Sequence, residues 1–63
     1  MKKGVYVGEF SKADIDAGKD RAALAEAQER TGLRYSNSEL VRKNGKIVAL
    51  RLWACNMEEM EVF

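Results

Sequence analysis

Arginine and tryptophan side chains give this chain its clearest potential for molecular recognition. In the predicted hairpin register, Arg42, Arg51 and Trp53 share one sheet face with Ser36 and Ser38. Aromatic rings on an open sheet can stack on bases, and arginines can hold phosphates. The alternative is that long side chains cover apolar neighbours while Trp53 anchors a core or an interface. We favour the alternative, because the net charge is only +1 and a single aromatic residue is well placed.

The residue types that catalysis needs are sparse. The chain has no histidine, the commonest general base and metal ligand. Cys55 therefore has no histidine to activate it, and it continues an apolar run, so we expect a buried structural thiol. Glu58, Glu59 and Glu61 would need a cleft and raised pKa values to act as acids or bases. We expect no enzymatic activity, no cofactor and no metal site.

Length and charge limit the function further. The 63 residues predict a single domain over 1–63, of a size at which stability is marginal. One cysteine cannot form an intramolecular disulfide and fits a reducing compartment, which leaves self-association as the main stabilising device. The 11 basic and 10 acidic residues are too balanced for a general polyanion binder. No long apolar segment follows Met1, and no run is long enough to span a membrane, so we expect a cytoplasmic protein without membrane contact.

Asn44-Gly45 lies between two β-rich runs and predicts a two-residue hairpin turn, because both central residues of a type I′ turn need a positive φ. The strands are predicted over about 34–43 and 46–55, with Val41 opposite Val48. In this register one face carries Val41, Val48, Leu50, Leu52 and Ala54. The other face carries Leu40, Arg42, Ile47, Ala49, Arg51, Trp53, Ser36 and Ser38.

The first half of the chain predicts a strand followed by a helix. Residues 4–10 alternate as a strand, and Gly8 predicts a bulge or a close contact. Ser11 is a predicted helix N-cap with Asp14 three residues later, and Gly32 is the stop signal. We expect the helix to be firm over about 19–31 and broken near Gly18, with Asp16 or Asp20 capping the second part.

These elements predict an α+β domain of order β-α-β-β, with one helix on a three-stranded sheet in spatial order 1-3-2. Residues 56–63 are predicted as either a short turn capped by Asn56 and Glu59 or an edge strand. This segment, with Met57, Met60, Val62 and Phe63, can instead fold back over the second sheet face. In size and composition the chain is similar to small accessory proteins of bacteria and their phages, an analogy that assigns no role to any residue.

The apolar side chains exceed what one alanine-rich helix can cover, and exposed apolar patches usually mark a partner surface. We therefore expect a non-enzymatic protein-binding or regulatory accessory protein that forms a homodimer. The predicted contact residues are Leu40, Arg42, Ile47, Arg51 and Trp53. The alternative is a nucleic-acid-binding protein that uses Trp53 with the basic residues Arg34, Arg42, Lys43, Lys46 and Arg51.

Overall fold

The structure, a computed structural model, describes residues 4–60. The elements in chain order are β1 (Val5–Ser11), α1 (Lys12–Asp16), α2 (Lys19–Thr31), β2 (Tyr35–Lys43) and β3 (Lys46–Cys55). They form a small α+β fold with one helical region and a three-stranded antiparallel sheet, as the sequence predicts. The predicted tail residues Glu61, Val62 and Phe63 lie outside the described residues.

The sheet order is β1-β3-β2, which confirms the predicted arrangement. β3 is central because its sequence is apolar on both faces over most of its length, as a strand covered on both sides requires. Both flanking strands run antiparallel to β3. Within residues 4–60, no helix is long and apolar enough to cross a membrane.

The hairpin turn forms where the sequence predicts it. Asn44 and Gly45 have φ angles of 53° and 77°, the positive pair that a type I′ turn needs. Lys43 pairs with Lys46 and Arg42 with Ile47, also as predicted. The next pair differs: Val41 pairs with Ala49, so Val48 is an extra residue that forms a β-bulge. The predicted pairing of Val41 with Val48 is therefore wrong.

The bulge changes which side chains share a face. Successive side chains of a strand point to opposite faces. A shift of one residue in the pairing therefore exchanges which β2 side chains share a face with a given β3 side chain. Leu40 pairs with Leu50, and Ser38 with Leu52, so these β2 residues lie on the face opposite Trp53. The predicted face that joined Leu40, Ser36 and Ser38 to Trp53 is incorrect. The error has a physical cause, because a strand that is apolar on both faces carries no alternation to fix its register.

The start of the helical region is defined by a capping box. The Asp14 backbone N–H donates to the Ser11 hydroxyl at 3.3 Å, and the Ser11 N–H donates to an Asp14 carboxylate oxygen at 3.2 Å. This second bond holds the pKa of Asp14 below its ordinary value. The Ser11 cap is thus confirmed, and an aspartate fills the place usually held by glutamate or glutamine.

The predicted helix break is also confirmed. Gly18 has a φ of 77° in the left-handed region and separates α1 from α2. It is itself the N-cap of α2, without a side-chain capping bond, so the predicted capping by Asp16 or Asp20 is wrong. At the other end Gly32, with a φ of 74°, donates its N–H to the Gln28 carbonyl.

The core lies at the C-terminal half of β3. Four consecutive residues, from Leu52 to Cys55, are buried, which requires cover on both faces because their side chains alternate. β1 pairs with this region through Val5 and Tyr6, and a bulge lies between Tyr6 and Gly8. A Cβ on Gly8 would lie 3.2 Å from the Phe10 ring, so the predicted bulge and the close contact are both present.

Candidate protein-contact surfaces

An apolar patch lies beside the hairpin turn on the face of the sheet that carries the helices. Within residues 4–60, the helices pack mainly against β1 and β3 rather than β2. Next to this uncovered margin, Leu40 is 50% exposed, Ile47 51% and Val48 40%. We call these three side chains the hairpin patch. A cluster of exposed aliphatic side chains marks a partner surface more often than a single exposed apolar residue does.

The hairpin patch borders a cleft of about 360 Å³. Its walls are formed by Lys12, Ile15, Leu40, Ile47, Val48, Ala49 and Leu50. Small-molecule sites combine apolar walls with several convergent polar groups, whereas the one side-chain polar group in these walls is the Lys12 ammonium. An apolar cleft with a charged rim is the usual form of a protein contact. The chemistry of the cleft therefore favours an apolar side chain of another protein as its occupant.

The opposite face of the sheet is aromatic and charged. Its shallow groove is lined by Tyr6, Glu9, Glu39, Arg51 and Trp53, which we call the aromatic face. The rings of Tyr6 and Trp53 meet edge to face, with centroids 5.4 Å apart and an interplanar angle of 60°. Tyr6 is 54% exposed, but Trp53 is only 7% exposed. The indole therefore offers little surface to a partner and packs as a core residue.

Arg51 joins the three strands on the aromatic face. Its Nε donates to Glu9 at 2.8 Å and its Nη1 to Glu39 at 3.3 Å, so carboxylates from β1 and β2 flank a guanidinium on β3. The hydrogen bond to Glu9 raises the pKa of Arg51 above its ordinary value. Two carboxylates and one guanidinium leave this group with a net negative charge. Such a face repels phosphates and does not support the predicted role of Arg51 in nucleic-acid binding.

The C-terminal segment forms a turn in the described residues 56–60. The Glu59 N–H donates to the Asn56 side chain at 3.0 Å, and the Asn56 N–H donates to the Glu59 carboxylate at 3.4 Å. The turn alternative is thus the one observed. Asn37, which is 4% exposed, donates its side-chain amide to the Glu59 carbonyl at 3.0 Å. This link was not predicted, because the serines on either side of Asn37 are equally typical of a turn, and the partner Glu59 is 22 residues away in the sequence.

The structure divides the predicted contact residues between the two faces. Leu40 and Ile47 lie at the hairpin patch, and Arg42 points to the same side as Leu40 because it is two residues further along β2. Arg51 and Trp53 lie on the aromatic face. The bulge at Val48 causes this division. The predicted contact set is therefore two separate surfaces, of which the hairpin patch is the exposed and apolar one.

The predicted basic residues are also spread out. Arg34 precedes β2, and the nine residues of that strand put it about 30 Å from the turn, at about 3.4 Å per residue. Arg42, Lys43 and Lys46 stay together because they flank the turn. With Arg51 paired to two carboxylates, a basic cluster of three residues remains at the hairpin tip.

The one thiol of the chain has no access to solvent. Cys55 is fully buried, and burial raises the pKa of its thiol, so it is a weak nucleophile. In residues 4–60 there is no group of three or more histidine, cysteine or acidic side chains that could hold a metal ion. Comparison of the chain with protein-family models, with curated proteins and with solved structures gave no match.

Proposed function

We propose that this chain is a non-enzymatic protein-binding accessory protein that self-associates through the hairpin patch. The observation that carries the proposal is the half-exposure of Leu40, Ile47 and Val48 around a cleft that the helices leave open on the β2 side. Burying such side chains is the main source of free energy in protein association. A second copy of the chain is the simplest partner, because a symmetric contact uses the same patch twice.

The size of the patch sets the strength of the association. Fully burying a Val, Leu or Ile side chain is worth roughly 1.5–3 kcal/mol, so covering the exposed half of three such residues in each of two copies yields about 5 to 9 kcal/mol. Association itself costs at least about 4 kcal/mol of this. A dissociation constant of 1 mM corresponds to about 4 kcal/mol. The hairpin patch alone therefore supports weak, reversible association. Each hydrogen bond formed at its edge would strengthen the association by about 0.5–1.5 kcal/mol.

Two observations support a role without catalysis and in a reducing compartment. The buried Cys55 thiol has a raised pKa, and the chain has no histidine to act as a base. A lone cysteine is typical of proteins from reducing compartments. We therefore include a cytoplasmic location in the proposal.

Analytical ultracentrifugation from about 20 μM to 1 mM tests the proposal. We expect the weight-average mass to rise above 7.1 kDa towards twice that value as the concentration increases. Ile47→Asp places a charge in the patch and should keep the protein monomeric. Met57→Asp is the matched control, because Met57 is 62% exposed but lies at the opposite end of the sheet. A wild-type protein that stays monomeric at 1 mM, or an Ile47→Asp protein that associates like wild type, contradicts the proposal.

The second candidate function is nucleic-acid binding by the hairpin tip. The clustering of Arg42, Lys43 and Lys46 around the turn favours it. Three phosphate contacts predict that log affinity for duplex DNA falls with log salt at a slope of about −3. Fluorescence anisotropy with labelled duplex and single-stranded oligonucleotides measures this slope. Absence of binding at 20 mM salt, or binding that survives Lys43→Ala with Lys46→Ala, contradicts this candidate.

A further inference from the structure

The two edges of the sheet differ in how well they can accept another strand. β1 is interrupted by its bulge between Tyr6 and Gly8 and runs straight into α1. β2 is a continuous strand of nine residues, because the bulge residue of the hairpin, Val48, belongs to β3. Bulges protect an edge, whereas a regular edge strand presents backbone N–H and C=O groups that can pair with another chain. Among the elements of residues 4–60, β2 therefore forms the open edge.

The hairpin patch lies next to this open edge. Leu40 is on β2 itself and is 50% exposed, while Ile47 and Val48 are on the adjacent strand β3. The helices described in residues 4–60 pack mainly on β1 and β3, which leaves room for a strand beside β2. Such a strand would cover the outer side of Leu40, while Ile47 and Val48, one strand further in, would lie on the same face of the joined sheet as their counterparts in the second copy.

We propose that a second copy of the chain pairs with β2 edge to edge and antiparallel, with the two-fold axis at Val41. This inference rests on the proposed self-association and specifies its geometry. An axis perpendicular to the sheet places the same face of both copies on the same side. Paired residues of an antiparallel sheet lie on the same face. Even-numbered residues of β2 must therefore pair with even-numbered residues of the second copy, and odd-numbered residues with odd-numbered ones.

The charges of β2 select the register among those that this rule allows. With the axis at Glu39, the two glutamates lie opposite each other; with the axis at Arg42, the two arginines do. An axis at Ser38 sets Arg34 against Arg42. Like charges directly opposite each other destabilise a sheet, and opposite charges stabilise it. These three registers are therefore unfavourable.

Among the registers that pair Leu40 with a β2 residue of the second copy, two remain, with the axis at Leu40 or at Val41. An axis at Tyr35, Ser36 or Asn37 leaves Leu40 beyond the end of the partner strand, and an axis at Lys43 sets two lysines opposite each other. The Leu40 register pairs Glu39 with Val41 and Lys43 with Asn37, so it contains no pair of opposite charges. The Val41 register pairs Glu39 of each copy with Lys43 of the other, which gives two such pairs. Glu39 already accepts a hydrogen bond from Arg51, but a carboxylate can accept several. The self-complementary charges thus point to the Val41 register.

Cysteine cross-linking tests the register directly. Val41→Cys and Leu40→Cys are each made in a Cys55→Ala background and treated with a mild oxidant. In the proposed dimer the two residues at position 41 are directly opposed, at a Cα–Cα distance of about 4.5–5.5 Å that a disulfide can span. The two residues at position 40 are offset from each other by two residues along the strands. Their Cα atoms are therefore further apart than the roughly 7 Å that a disulfide can span. We expect at least tenfold faster dimer formation for Val41→Cys than for Leu40→Cys on a non-reducing gel.

Charge exchange supplies an independent readout that leaves the buried Cys55 intact. Glu39→Lys and Lys43→Glu should each weaken the dimer by about 2- to 30-fold, since either change creates like-charge pairs at both ends. The double variant restores opposite charges and should recover most of the affinity. Ultracentrifugation measures the dissociation constants.

The outcomes separate this inference from the proposed function. Faster cross-linking at position 40 than at position 41, or a double variant weaker than both single variants, overturns the Val41 register. If neither cysteine cross-links while the wild-type mass still rises with concentration, edge pairing is overturned and self-association stands. If wild-type protein is monomeric at 1 mM, both proposals fail.

Discussion

Trp53→Ala tests whether the indole is a core residue or an exposed contact. Trp53 is 7% exposed and packs against Tyr6, so its loss removes nearly all of a large buried side chain. Truncating a buried tryptophan to alanine typically costs about 3–5 kcal/mol. A chain of 63 residues has a total stability of about 3–9 kcal/mol, at roughly 0.05–0.15 kcal/mol per residue. The substitution should therefore remove a third or more of the stability, and at the lower end of the stability range it abolishes the cooperative transition.

Urea denaturation followed by far-ultraviolet circular dichroism is the assay, because the variant lacks the fluorescent indole. With a slope near 1 kcal/mol per molar urea, we expect the midpoint to fall by about 3 M or the folded baseline to disappear. Tyr6→Ala should cost less, because the tyrosine is 54% exposed. Met57→Ala, at a position 62% exposed, should change the stability by less than about 0.5 kcal/mol. A loss below about 1 kcal/mol for Trp53→Ala, with an unchanged slope, would refute the assignment of Trp53 to the core.

Three further predictions concern the thiol, a glycine contact and the helix cap. Cys55 should react with a thiol reagent at least 100-fold more slowly in folded protein than in urea, because it is fully buried and has a raised pKa. Gly4→Ala should destabilise the fold more than Gly45→Ala, because a Cβ at position 4 would clash with the Ala54 carbonyl oxygen, whereas a Cβ at position 45 has nothing within 4 Å. The pKa of Asp14 is lowered in the folded state, so its stabilising effect is present above the ordinary value of 3.8 and is lost as the pH falls below it. The difference in urea midpoint between wild type and Asp14→Asn should therefore shrink between pH 5 and pH 3.

Each of these predictions has an outcome that contradicts it. For Cys55 it is labelling of the folded protein at the rate of a free thiol. For the glycines it is a smaller loss at position 4 than at position 45, since both positions share a positive φ and differ in the space around them. For Asp14 it is a difference between wild type and variant that is equal at both pH values, which would show that the carboxylate is not linked to stability.

Local signals in the sequence predicted most of the fold. Asn44-Gly45 marked the hairpin, Ser11 and Asp14 the start of α1, and Gly18 the break before α2. Each of these signals depends on backbone conformation or on a hydrogen bond between residues close in sequence. Such short-range effects can be read without knowledge of the tertiary structure.

The candidate site was less predictable, because it depends on long-range pairing. One extra residue, Val48, moved Leu40 and Trp53 to opposite faces. The immediate neighbours of Val48, Ile47 and Ala49, are both apolar, so no polar side chain at the bulge indicates the register. The ion pairs of Arg51 join residues up to 42 positions apart, and the Asn37 link to Glu59 spans 22. Contacts of this range follow from the strand register, so an error of one residue changes all of them.

The location of the contact surface is the central claim, and backbone amide chemical shifts measured against concentration test it most directly. Two-dimensional ¹H–¹⁵N spectra of the wild-type protein from about 50 μM to 1 mM should show progressive shifts for Leu40, Ile47 and Val48 and along β2. The amides of Tyr6 and Glu9, on the far side of the sheet, should stay in place. Shifts concentrated at Tyr6 and Glu9, or spectra that do not change with concentration, would contradict self-association through the hairpin patch.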